Sequence, residues 1–214
     1  MPTRHWLLLA VLFFVGGAAH AATVKRLSTQ ELTARSSIVF IGVVTAQSTH
    51  HQEAPIKIWT TTTFDVERVL KGTPSSTLKV QQLGGEVGAG ANHLVQKVHG
   101  YPGFRVGERV LLFLETTDMG HLVVTGMAQG KFSLTPGAVD REVRAVRDLS
   151  DIRYPASQGR VRHLAGAPSR DGVVYLDQLL DVIAGKRPIA RPIPLRLLQP
   201  RVPVLPAARQ GVAQ

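Results

Sequence analysis

From Phe64 to Glu67, within Phe64–Leu70 (FDVERVL), apolar and polar side chains alternate, the period-two pattern of a strand with one buried face. The stretch closes a longer β-branched run, Ile58–Leu70. Lys71–Ser76 (KGTPSS) has the glycine and proline of a turn, and Thr77–Leu83 alternates again through Leu78 and Val80. These runs read as neighbouring strands of a meander. Upstream, Ile38–Gln47 (IVFIGVVTAQ) predicts a mostly buried strand, while polar Ser48–Lys57, broken at Pro55, reads as a loop. Downstream, His93–Val98, Arg109–Glu115, His121–Gly126 and Gly130–Leu134 are further strand candidates. Arg109–Glu115 is nearly all apolar and belongs at the centre of a sheet; Tyr101–Glu108 before it is turn-rich. Six or seven short strands at this spacing predict a barrel or sandwich.

Helical signals flank this block. Ser28-Thr29-Gln30-Glu31 has the form of a capping box, so a short helix is expected over Thr29–Arg35, ended by Ser36-Ser37. After Asp140, Val143, Val146 and Leu149 fall on one face of a helical reading of Asp140–Leu149. Val173–Gly185 repeats apolar residues at Leu176, Leu179, Leu180 and Ile183, with Gly185 as a C-terminal cap. The connection Arg153–Gly172 reads as loop. Residues 186–214 repeat X-Pro and carry basic but no acidic side chains, which predicts a disordered or surface-draped tail.

The first residues change the picture of where the protein works. Arg4 and His5 precede an apolar run, Trp6–Val15, and Ala19-His20-Ala21 offers small residues before a cut at Ala22. That order is the pattern of a cleaved secretory signal over 1–21. Ten apolar residues are too few to cross a bilayer, which takes about 20. Export to the periplasm or beyond, with no transmembrane segment after cleavage, is the expectation. The 193 remaining residues suit one ordinary domain with an appendage. No cysteine is present, so disulfides, thiol nucleophiles and thiolate metal sites are all excluded. The formal charge of +10 is uneven, with +3 over residues 22–139 and +6 over 140–214. Outside the cytoplasm a basic tail points to an anionic surface or polymer before nucleic acid.

Ile38–Gly42 (IVFIG), Phe64–Gly72 (FDVERVLKG), the GGE of Gly84–Glu86, Arg105–Glu115 (RVGERVLLFLE) and Gln129–Phe132 (QGKF) form a recurring set. The set resembles exported bacterial proteins with an OB-like barrel similar to netrin-like and tissue-inhibitor-of-metalloproteinase domains. The resemblance spans about residues 28–134 and implies a mainly β fold. The fold it implies is an OB-like antiparallel β-barrel over 28–135 with a short N-terminal helix, to which the apolar spacing described above adds a C-terminal helical segment over 140–185. The inhibitors chelate their target's zinc through an N-terminal cysteine, which this chain lacks, so that mechanism does not carry over.

Candidate chemistry is sparse. Gly84–Gly90 (GGEVGAG) has neither the lysine and hydroxyl of a P-loop nor a following helix, and reads as a bend in which glycine takes positive φ. His50 and His51 are adjacent in the expected loop and point apart. Glu86, His93, His99 and His121 are weak candidates for a zinc site of histidine and carboxylate ligands, although no compact ligand motif joins them. Asp65 and Glu67 share a strand face and are expected to pair with Arg68 or Lys79. Serines 75 and 76 sit in a turn. The aromatics Phe40, Trp59, Phe64, Tyr101, Phe104, Phe113 and Phe132 fall mostly at core-type positions, which disfavours stacking on nucleic-acid bases. The sequence thus predicts a non-enzymatic binding or scaffold module without cofactor. Its expected partner is an envelope or extracellular protein or an anionic surface. The rival is a metal-assisted hydrolase built on those histidines.

Overall fold

The computed structural model describes residues 24–53, 56–137, 142–152 and 172–187. The expected signal over 1–21, the loop over 153–171 and the tail beyond Arg187 lie outside them. No described helix is long and apolar enough to cross a membrane.

Helix α1 (Thr29–Arg35) begins where its capping box predicts. The Glu31 amide donates to Ser28 Oγ and the Ser28 amide to the Glu31 carboxylate, at 3.2 and 2.8 Å. The strands follow: β1 (Ile38–Glu53), β2 (Ile56–Lys71), β3 (Thr77–Leu83), β4 (Gly85–Val87), β5 (Leu94–Gln96), β6 (Arg109–Thr116), β7 (Leu122–Val124), β8 (Lys131–Pro136), β9 (Val143–Val146) and β10 (Val173–Tyr175). Helix α2 (Leu176–Ile183) ends in a Schellman turn, with Gly185 N–H on Val182 O and Lys186 N–H on Asp181 O.

Eight strands form one antiparallel sheet in the order β10-β9-β8-β6-β1-β2-β3, with β7 also paired to β6; β4 and β5 make a separate hairpin. The fold is therefore mainly β and antiparallel. The sheet curls until β3 and β7 approach within 8 Å between Cα atoms, and no ladder joins them.

Strand β6 and the Ile38–Val44 part of β1 are covered on both faces, the physical reason for the unbroken apolar run in β6. Val39, Ile41, Leu111 and Phe113 point to the side where Leu32 of α1 and Leu179 of α2 pack with Phe132 and Leu134. Phe40, Val44, Val110, Leu112 and Leu114 point into the curl, against Phe64, Leu78, Val80 and Phe104. Phe64 meets Phe40 and Phe104 edge to face, with centroids 5.8 and 5.1 Å apart.

Two expectations are corrected. Over its described residues, Ser48–Glu53 and Ile56–Lys57, the expected loop is strand. Past the last of three register shifts, between Val44 and Ala46, strands β1 and β2 pair without a break out to Glu53 and Ile56, forming a ribbon that extends beyond the main core. Its residues are polar because water reaches much of it, and the ladder satisfies the backbone regardless of side chain. Second, Asp140–Leu149 holds no helix over its described part. Val143–Val146 is β9, which pairs β8 on one side and β10 on the other, with Ala145 opposite both Leu134 and Val174. Two ladders and a buried Ala145 outweigh a spacing of apolar residues that also fits a helix turn.

Candidate functional site

Paired residues in an antiparallel ladder project from the same face, so register places every side chain of the ribbon. Phe64 pairs with Val44 and Leu78, and Thr62 with Gln47 and Val80. Thr60 pairs with Thr49 and Gln82. All of them face the inside of the curl. Passing outward along β2, that inner face changes from apolar (Phe64, Leu78, Val80) to polar (Gln47, Thr49, Thr60, Gln82). Thr62, fully buried at the change, accepts a hydrogen bond from Gln47 Nε2 at 3.2 Å. The curl therefore has an apolar floor and a polar mouth.

The hairpin of β4 and β5 lies across the foot of the ribbon and forms one wall. Thr49 Oγ1 donates to Glu86 O at 2.9 Å, Thr60 Oγ1 to Gly84 O at 2.7 Å, and the Ile58 amide to Gln96 Oε1 at 2.7 Å. Gly85 has φ 136°, and a Cβ there would sit 2.3 Å from Thr60 Oγ1. Only glycine lets this backbone lie flat on the ribbon, and the contact buries Ile58 to 2% exposure. The glycine segment is a docking surface for the hairpin, in keeping with the conformational role expected of it.

The opposite wall is the loop Tyr101–Phe104, read from sequence only as turn-rich. Phe104 anchors it in the core, and Gln82 Nε2 donates to Pro102 O at 3.4 Å. Lys131 Nζ donates to Gly103 O, and the Ala128 amide to Gly100 O at 2.8 Å. Held this way, the loop leaves Tyr101 exposed at 36%, which corrects its reading as a core-type aromatic. A cleft of about 600 Å³ lies between this loop, the hairpin and the ribbon. A second, of about 610 Å³, lies on the loop's other side.

The second cleft contains a well-shielded ion pair. Lys131 lies 2.8 Å from the Glu108 carboxylate, and Ser133 Oγ donates to that carboxylate at 2.6 Å. The Arg105 amide adds another bond at 3.1 Å. Burial pushes the Lys131 ammonium below the ordinary lysine value, and Glu108 opposes that shift. Asp148 is held below the ordinary carboxylate value by hydrogen bonds from Ser150. These groups satisfy one another across a fold contact. Glu108 and Lys131 come from the RVGE and QGKF motifs, so those motifs meet in space as an ion pair.

The sequence-derived metal candidates are only partly assembled. Glu86 and His93 meet across the β4–β5 hairpin, 3.3 Å apart on the surface. Neither His99 nor His121 completes a set: among the described residues, no three of His, Asp and Glu gather to hold an ion. Glu67 pairs with Arg109 at 2.7 Å, neither of the partners expected for it. Arg109 is remote in sequence and adjacent only through the fold. The mouth was missed because its residues are spread over five segments. Its one visible sign was the polar stretch at even positions Thr60 and Thr62, where the apolar alternation breaks.

No family model matches this chain, and no curated protein matches it significantly.

Proposed function

We propose that this chain is an exported, non-enzymatic binding module of the cell envelope or extracellular space, with an OB-like barrel of the netrin-like kind. It engages its partner at the polar mouth of the curled sheet. The observation that carries the reading is the preformed cleft of about 600 Å³ between the pinned Tyr101–Phe104 loop and the glycine hairpin. Clefts of this size at the open end of a curled sheet are ordinary ligand sites. Titratable side chains around it are engaged with each other, Lys97 with Asp151 at 2.9 Å and Glu86 with His93, as suits recognition more than proton transfer. The near-closure of β3 on β7 supports the barrel, and the basic residues 186–214 suit an anionic surface nearby. The hydrolase built on Glu86, His93, His99 and His121 has only its first two members in contact.

A photo-crosslinking residue at position 82 tests the reading in intact cells. Adducts are expected there and not from position 119, which is 80% exposed outside the mouth. Equal labelling at both positions, or none at 82, sinks the binding-module reading.

A further inference from the structure

We propose that the mouth lined by Gln47, Thr49, Thr60, Gln82, Gln96 and Tyr101 binds a neutral oligosaccharide. The inference rests on the binding-module reading above and adds the chemistry of the ligand. Each sugar hydroxyl both donates and accepts, and neighbouring hydroxyls present paired functions that amides and hydroxyls match. Thr49 and Thr60, which both line the cleft, use their hydroxyl protons on Glu86 O and Gly84 O, which leaves their oxygens as acceptors. Gln96 uses its carbonyl oxygen on Ile58, and Gln82 one amide hydrogen on Pro102. Among the described residues this leaves the Gln96 amide nitrogen and the Gln82 carbonyl oxygen available.

Tyr101 supplies the second ingredient. The C–H face of a sugar ring is apolar while its rim is polar, and an aromatic with a polar tip fits both. Anchoring through Phe104, Gly100 O and Gly103 O holds the loop before a ligand arrives, so little ordering cost remains.

Charge narrows the class. Lys97 is the only basic residue lining this cleft among the described residues, and it is bound to Asp151. Glu86 and Asp151 add two carboxylates, which disfavour a polyanion in the mouth. Nucleic acid needs a basic groove with stacking aromatics, and a lipid chain needs an apolar lining. A hydroxyl-rich neutral ligand fits what is left.

The test titrates the full mature chain with maltotetraose, cellotetraose and chitotetraose, and with tetragalacturonic acid as the anionic counterpart, followed by backbone amide NMR. Binding of at least one neutral tetrasaccharide is expected, with shifts centred on residues 47, 60, 82 and 101. Tyr101→Ala and Gln82→Leu should each weaken it tenfold or more, while Tyr101→Phe retains most of the affinity and all three keep the wild-type melting temperature within a few degrees. No binding by any neutral sugar overturns the proposal, as does tighter binding of the uronate or full affinity in both weakened variants. Crosslinks from position 82 that persist when the sugars fail would leave the binding module standing and remove only its ligand.

Discussion

Gln129 joins parts of the chain a hundred residues apart. Its Oε1 accepts from the Leu27 amide at 2.8 Å, and its Nε2 donates to Lys25 O at 3.0 Å and Gly126 O at 3.3 Å. The side chain is fully buried, so each bond acts in a low-dielectric setting. Gln129→Leu keeps the volume but strands the Leu27 amide, a loss of about 1–3 kcal/mol expected from a buried unpaired donor. A urea midpoint shifted down with an unchanged slope would check it. The carboxylates add a pH dependence of definite sign. Hydrogen bonds from Ser28 hold the Glu31 carboxyl below the ordinary carboxylate range, and those from Ser150 do the same for Asp148. Depressed values mean that this stability is complete above the unfolded carboxylate range and is lost as pH falls through the lower folded values. Urea midpoints should therefore be level from neutrality down to that range and drop below it. Ser28→Ala and Asp148→Asn should each flatten part of the drop.

At the scale of elements, the β4–β5 hairpin owes its position to backbone contact with the ribbon. Gly85→Ala puts a Cβ into Thr60 Oγ1 and onto a backbone with φ 136°, so the hairpin must lift. Amide exchange at residues 86–96 is expected to accelerate at least tenfold, and that of Ile58, whose amide reaches Gln96 only when the hairpin is down, with it. Central β6 should be unchanged. A uniform acceleration across the sheet would show that the substitution destabilises the whole fold instead. The two clefts share the Tyr101–Phe104 loop, so Phe104 links core to mouth. Phe104→Ala should cost about 3–5 kcal/mol by the usual loss for a buried aromatic and also free the loop that presents Tyr101.

For the whole molecule, the described residues build one body from two sheet faces and the helices α1 and α2, without a disulfide. Cohesion comes from the two apolar clusters on either side of β1 and β6. Compartment is a property of the entire chain, and export by a cleaved signal makes a definite prediction. N-terminal sequencing of the protein from the periplasmic or culture fraction should begin at Ala22; recovery from the cytoplasm with residues 1–21 intact would refute it. The uneven charge belongs to this scale as well. Truncation after Gly185 removes only basic charges, and envelope association that weakens with salt in the full chain but not in the truncated one would assign the anionic contact to the tail.

Local rules determined part of this from sequence. The capping box sets the start of α1, because Ser28 and Glu31 satisfy its first amides within four residues. Alternation sets β3, continuous apolarity marks β6 as central, and Gly185 ends α2. All of these depend on near neighbours or on burial averaged over a face. The polar ribbon, the strand at Val143–Val146, the Glu67–Arg109 pair and the mouth around Tyr101 were decided by the tertiary structure. There the competing local choices differ little in energy, and partners distant along the chain tip the balance: a ladder carries polar side chains as readily as apolar ones, and a cleft exists only once its walls are brought together.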